Sequence, residues 1–496
     1  MSAQEGSNTW IVYANDTSNN VNSSSVTFFV DSIAPTINFT GATSSGTVNG
    51  NTISVNLTTS DTSNHYSFVD FDRSLSLWYR MDDVNSSGDP VGSSSYGLNG
   101  SRKGAAVQTN LGNFGKGFDF SGSNISYVSA SVAGFSNPTN QITISVWVLN
   151  NNLSNWNRLV SRDSWSTAGK YSWQLYESSN RKVTFGISNG TAQEGPSSAT
   201  NSLSNGVWHH VVATYNGTIA SIYLDGSLAS SQTQNSNFTG LTFSSISYLY
   251  LGSSNSVNSN SYFNGTLDEV LIFNRSLNAA EIASLYSASA SQYSNNFTGL
   301  SRGTYTFTGY AVDSFGNKNQ TETRTVTLAD TTAPSVSITY PVNASYSSST
   351  FGLNYTASDE TALDSCWYSL NGGANSTTQT CNTNWAGLTG VEGSNNVFVY
   401  ANDSSSNVGS SSLTFVVDTV NPGINFTGAT SSGTITGNSI FVNLTTSDTS
   451  NHYSFVDFDN SLIGWWRGES NANDDIGLHN ASWVGTAIYG AGKFGS

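Results

Sequence analysis

An all-β chain is predicted, on three observations. The first is alternation of β-branched or aromatic residues with polar ones. It recurs at 52–58 (TISVNLT), 141–148 (QITISVWV), Trp208–Tyr215 (WHHVVATY) and 413–417 (LTFVV). The second is punctuation of these stretches by Asn, Gly, Ser and Asp, which favour turns. The third is the rarity of helical periodicity, which appears once, around 278–286 (NAAEIASLY), after the turn-like Asn274-Arg275-Ser276.

Composition narrows the function. Of 496 residues only 10% are charged while 12% are aromatic, so cores are available and disorder is excluded. Sixteen Lys and Arg stand against 32 Asp and Glu, a formal charge of −16. Such a chain offers no basic stripe for nucleic acid and no attraction to an anionic membrane. It holds no run of apolar residues long enough to span a bilayer, and residues 1–8 show no signal-peptide pattern.

Self-comparison organises the rest. Residues 41–72 and 428–459 are identical at 28 of 32 positions, at a constant offset of 387. The offset extends back through Asp31 and Asp418 and forward through Trp78 and Trp465. About 1.3 units of a repeat of about 387 residues are therefore present, and the chain is expected to be a fragment of a longer repetitive protein, truncated at both ends.

The elements follow in order. Residues 1–33 read as strand, A-x-D-S/T-x-x-N turn, strand: the C-terminal part of an immunoglobulin-like sandwich. The same layout closes 330–419, an intact sandwich, and recurs at 296–328 without first strands of its own beside it. The strands of 34–72 are the candidates to supply them. One sandwich is thus expected to be split, 34–72 plus 290–329, with 73–289 inserted, an arrangement that loop tips tolerate. That split predicts pairing of 53–58 with a strand of 303–328. Residues 420–459 begin a second split sandwich and 460–496 a second inserted domain.

The insert resembles the laminin-G-like family of concanavalin-A-type jelly rolls. The resemblance lies in 77–83 (LWYRMDD), 114–120 (FGKGFDF), 142–148 (ITISVWV), Trp208–Tyr215, 222–226 (IYLDG) and 265–275 (GTLDEVLIFNR). The flanks resemble immunoglobulin-like modules of bacterial and archaeal surface proteins. The family resemblance implies an adhesion head for a glycan or surface protein. It also implies a structural calcium held by Asp268 with Asp82, Asp83 or Asp119; the alternative is that Asp268 caps a turn or accepts backbone N–H bonds. Residues 121–127 (SGSNISY) depart from the family pattern by lacking a carboxylate, which puts any ligand role of that loop in doubt.

No catalytic residue is identified. The insert has four glutamates, and the adjacent Asp268 and Glu269 should face opposite sides of a strand, so a polysaccharide hydrolase is only a remote alternative. His209 and His210 straddle two faces of one strand, one exposed and one packed. Trp156, Arg158 and Trp165, in a polar and loop-like stretch at 150–165, are the candidate ligand-binding residues. Cys366 and Cys381 are expected to form one disulfide. There are 22 Asn-x-Ser/Thr sequons, half of them attributable to composition. The favoured glycan acceptors are Asn15, Asn38, Asn56, Asn85, Asn99, Asn216, Asn264, Asn296, Asn319, Asn354, Asn402, Asn425 and Asn443. The resulting expectation is a non-enzymatic, extracellular, cell-surface adhesion protein; the alternative is a self-assembling surface layer, sheath or filament.

Overall fold

A computed structural model describes residues 2–121, 126–133, 135, 140–151, 157–163, 171–178, 180–189, 193–234, 238, 240–241, 248–254, 262–468 and 471–488. The chain forms two compact units, Met1–Ala329 and Asp330–Ser496. Every sheet is built of short strands, and Ala279–Tyr286 is the one helix among the described residues.

The first unit begins with a hairpin of Gly6–Asn15 and Val21–Val30, whose Trp10 and Tyr13 are exposed. A sandwich then assembles from two stretches far apart in sequence. Its first sheet has the order Ser294–Phe297, Ile53–Ser60, Thr36–Phe39. In its second sheet Gly303–Asp313 pairs with His65–Phe71, Lys318–Gln320 and Arg324–Ala329, and the last of these pairs with Gly46–Asn49. Ile53–Ser60 therefore pairs with Ser294–Phe297, and the expected pairing with a strand of 303–328 is not made. Phe297 explains the choice: it lies inward opposite Ile53 and stacks 3.8 Å from Phe71. Ile53, Val55, Leu57, Phe307 and Val326 complete an apolar core.

Between the halves sits a jelly roll of two sheets. One has the order Ser227–Thr233, Ile219–Leu224, Trp208–Tyr215, Ile142–Asn150, Gly265–Phe273, Gly117–Asp119, Val107–Thr109, and Leu75–Tyr79 also pairs with Gly265–Phe273. The other has the order Gln193–Glu194, Val183–Ser188, Tyr171–Glu177, Asn157–Asp163, Tyr248–Leu251, Tyr127–Ser131, Ser101–Lys103. Val146, Trp173, Phe185, Tyr215 and Leu267 fill the space between them and are fully buried.

The outer face of the first sheet is welded to the sandwich. Phe68 of the sandwich packs against Trp78 and Phe273 of the jelly roll, with ring centroids 5.1 and 5.9 Å away. Ser67 and Ser284 share a 2.7 Å hydrogen bond across this joint. The helix docks there too. Asn278 and Glu281 form a capping box at its N-terminus, and Arg275 pairs with Glu281 at 2.8 Å.

In the second unit a sandwich forms from Ser335–Tyr340, Thr350–Ser358 and Trp385–Thr389 against Ser345–Tyr346, Val408–Val417, Gly393–Asp403 and Leu363–Leu370. Cys366 and Cys381 are joined by a disulfide. The following segment repeats the first strands of the split sandwich, with a hairpin of Gly423–Phe426 and Leu444–Ser447. Phe71 is 5% exposed in the first copy, whereas its counterpart Phe458 is 55% exposed in the second.

Candidate functional site

The second sheet of the jelly roll has one face on the core and one polar face. Cross-strand neighbours share a face. Val128, Leu251, Val160, Leu175 and Phe185 make the core row; Ser129, Tyr250, Ser161, Gln174 and Gly186 make the opposite row. Arg158, Tyr176 and Thr184 extend that polar face, with the Arg158 guanidinium 4.6 Å from the centre of the Tyr176 ring. Tyr127 lies 6.0 Å from Tyr250, and Tyr248 is exposed beside it.

Two atoms set the character of this face. Ser161 Oγ donates to the Ser253 carbonyl at 2.9 Å. Gln174 is 7% exposed, and its Oε1 is buried without a hydrogen-bond partner. A buried acceptor without a donor is costly, so such an atom calls for a polar group to meet it.

The stretch expected as a loop at 150–165 contains the strand Asn157–Asp163, and Arg158 is buried in it at 1% exposure. Arg158 pairs across the sheet with Tyr176, its guanidinium over that ring, so its charge is not presented on a loop. Trp156 and Trp165 lie outside the described residues, and Trp173, their neighbour in sequence, is a core residue.

Asp268 is fully buried. Its Oδ2 accepts the backbone N–H groups of Asn113 and Phe114 at 2.8 and 2.9 Å, and its Oδ1 accepts that of Glu269. Burial, reinforced by the neighbouring Glu269 charge, pushes its pKa well up. Asp82 pairs with Arg80 at 2.9 Å and accepts the Lys116 N–H; burial raises it to about 6, with Arg80 opposing the rise. Asp119 accepts from Ser121 N and Oγ. Each of these three expected calcium ligands is thus used by local donors, and among the described residues they do not converge as a cluster.

Asp268 and Glu269 do not face opposite sides of their strand. Glu269 has φ +46°, and the register slips so that Glu269 and Val270 together oppose Val146. This bulge turns both carboxyl groups toward the joint with the sandwich. There the Trp78 indole donates to Glu269 Oε2, and Arg80 donates to the carbonyl of Gly316 in the sandwich. Burial, with Asp82 adding to it and Arg80 opposing, raises Glu269 to about 8.

His209 bonds Asp225 at 2.9 Å, while His210 is buried against Trp147 and is pushed down to about 3 by that burial.

Carboxylates converge elsewhere. Asp31, just ahead of the split sandwich, and Asp61 and Asp313 within it place one ligand atom each within 4.8 Å of one another, and so do Asp330, Asp359 and Asp403 in the intact sandwich. The A-x-D-S/T-x-x-N turn builds both. Asp313 Oδ1 accepts the N–H groups of Phe315 and Asn317, and Asn317 Nδ2 donates to the Asp31 carbonyl. Asp403, Ser405, Asn407 and Asp330 repeat those bonds. The motif is legible in the sequence as a turn; its gathering of carboxylates is not, because the three aspartates lie far apart in the chain.

None of the thirteen favoured sequon asparagines is buried. Nine are exposed, and Asn56, Asn264, Asn354 and Asn402 are half-buried.

Residues 120–283 match the family model Laminin_G_3, the concanavalin A-like lectin/glucanases superfamily. The inserted domain is laminin-G-like, in line with its motifs. No curated protein matches the chain. Among solved structures, domain 4 of AbnA, a GH43 extracellular arabinanase from Geobacillus stearothermophilus in complex with arabinotriose, is 16% identical over 43% of this chain and 98% of its own, with a TM-score of 0.34. The binding domain of botulinum neurotoxin serotype D is 15% identical over 44% of this chain and 52% of its own, with a TM-score of 0.34. The sialidase of Trypanosoma rangeli is 19% identical over 43% of this chain and 32% of its own, with a TM-score of 0.32. The chain therefore spans about half of the second of these proteins and about a third of the sialidase.

Proposed function

We propose that the laminin-G-like domain is a non-enzymatic binding head for a glycan, carried outside the cell on immunoglobulin-like spacers. The observation that carries this reading is the polar sheet face on which Tyr250, Tyr176 and the exposed Tyr248 stand beside Ser161 and Gln174. Aromatic rings offer the C–H face of a sugar a surface, and Tyr248 is exposed and Tyr250 and Tyr176 half-buried on this side of the sheet. Two facts support the non-enzymatic part. Asp268 and Glu269 are buried at the joint, and the described side chains of the polar face include no carboxylate pair for hydrolysis. The weld to the sandwich supports the notion of a head held in fixed orientation.

A glycan array probed with the whole chain, with calcium and with EDTA, tests it. Binding that falls at least tenfold in Gln174→Ala and Tyr250→Ala is expected. Binding untouched by both changes moves the site elsewhere, and no binding at all removes the lectin reading.

Calcium belongs to the same proposal, at the two aspartate trios and not at Asp268. Its support is the recurrence of three converging carboxylates in both sandwiches, with Asp31 Oδ2 buried and without a hydrogen-bond partner. Calcorimetric titration with calcium should show two sites, lost one at a time in Asp313→Asn and Asp403→Asn. Zero heat in the unaltered chain ends the idea.

A further inference from the structure

Three sequons scattered along the chain meet on one sheet of the split sandwich. Asn38 lies on Thr36–Phe39, Asn56 on Ile53–Ser60 and Asn296 on Ser294–Phe297. The register fixes their direction. Asn38 is opposite Thr58, Ser294 opposite Asn56 and Asn296 opposite Ser54, all on the face away from Ile53, Val55 and Leu57. The outward positions are thus Thr36, Asn38, Ser54, Asn56, Thr58, Ser60, Ser294 and Asn296: hydroxyls and amides, with no charge.

The two outer strands of this sheet are its edges, since Ile53–Ser60 lies between them. Edge strands template pairing with other chains, and proteins usually blunt them with lysine, proline, a bulge or a covering element. Pro35 stands immediately before Thr36–Phe39, its carbonyl accepting from Asn319 Nδ2, and the helix lies beside Ser294–Phe297, where Asn278 Nδ2 donates to Asn295 Oδ1. Each strand also carries an exposed sequon asparagine.

We propose that Asn38 and Asn296 are N-glycosylated, and that their glycans guard the uncharged outward face of this sheet. The proposal rests on the extracellular reading above. The side-chain amides leave these positions open to attachment, as they do at the exposed Asn15, Asn425 and Asn443. A glycan is attached through Nδ2, and neither Asn38 nor Asn296 has its side-chain amide in a hydrogen bond. Asn319, Asn402 and Asn56 differ. Asn319 Nδ2 donates to the Pro35 carbonyl, and Asn402 Nδ2 donates to Asp364. Asn56 Oδ1 accepts from Ser294 Oγ and is half-buried. The pattern recurs: Asn425 stands at the offset of 387 from Asn38, on the exposed strand Gly423–Phe426.

Glycopeptide mass spectrometry of the full protein, isolated from the cells that make it, tests the assignment. Occupancy above half is expected at Asn38 and Asn296, with at least threefold less at Asn319 and Asn402. Bare Asn38 and Asn296 beside other occupied sequons overturn the proposal and leave the extracellular reading standing. No occupied sequon anywhere overturns both. The guarding role has its own readout. Asn38→Gln combined with Asn296→Gln should leave the circular dichroism spectrum unchanged and raise the associated fraction in size-exclusion chromatography at least twofold. An unchanged fraction with full folding removes that role.

Discussion

The Trp78 indole N–H donates to Glu269 Oε2 at 2.8 Å, joining two strands of the jelly roll at the surface it presents to the sandwich. Phe68 of the sandwich packs edge-on against the same Trp78 ring. One indole therefore holds a buried carboxyl with its N–H and the neighbouring domain with its ring.

That carboxyl makes the joint sensitive to pH. Burial holds Glu269 at about 8 against an ordinary 4.5, so the folded form keeps a proton that the unfolded chain releases between those values. Its contribution to stability is full below about pH 4.5 and is lost as pH rises to about 8. The melting temperature should fall across that window, and Glu269→Gln should flatten the fall. Identical slopes in calorimetric scans of the two proteins would refute it.

Phe68→Ala should cost about 3–5 kcal/mol, because it removes a ring that is 1% exposed and contacts Trp78, Phe273 and Tyr310. The loss should appear as faster proteolysis between the jelly roll and the sandwich, with each domain resisting cleavage inside. Proteolysis at the rate of the unaltered chain would show that the joint does not depend on this ring.

Gly115→Ala should destabilise the same joint by roughly 1–3 kcal/mol. The added Cβ would lie 2.2 Å from Asp82 Oδ1 and 2.9 Å from Gly316 Cα, at a backbone φ of +71°. Chemical denaturation measures it, and a change below about 0.5 kcal/mol would mean that the loop yields.

Replacing Cys366 and Cys381 together by alanine should cost the intact sandwich about 3 kcal/mol, the value for closing a loop of 15 residues. The transition of that sandwich alone should move in denaturant, and a shift of the jelly-roll transition instead would contradict the assignment of the bond to it.

Much of the fold was legible because alternation survives translation into burial. Ile53, Val55 and Leu57 read as an inward row and are buried as one. The capping residue Asn278 sits where helical periodicity begins. What could not be read depends on partners. Phe71 and Phe458 share a near-identical local sequence and differ in exposure by half of their surface, because only Phe71 has Phe297 and Phe307 beside it. The bulge at Glu269 is likewise invisible in Asp268-Glu269, since it arises from register against Ile142–Asn150. Local composition puts Arg158 on a loop, whereas its place on a strand beside Tyr176 comes from the sheet.

The split of the sandwich decides where a mechanical load would travel. Both connections to the jelly roll leave from within the sandwich, after Phe71, which pairs with Phe307, and before Ser294, which pairs with Asn56. A pull applied between Thr36 and Ala329 is therefore borne first by the ladders of the sandwich. The jelly roll stays slack, and its polar face keeps its shape, until those ladders part.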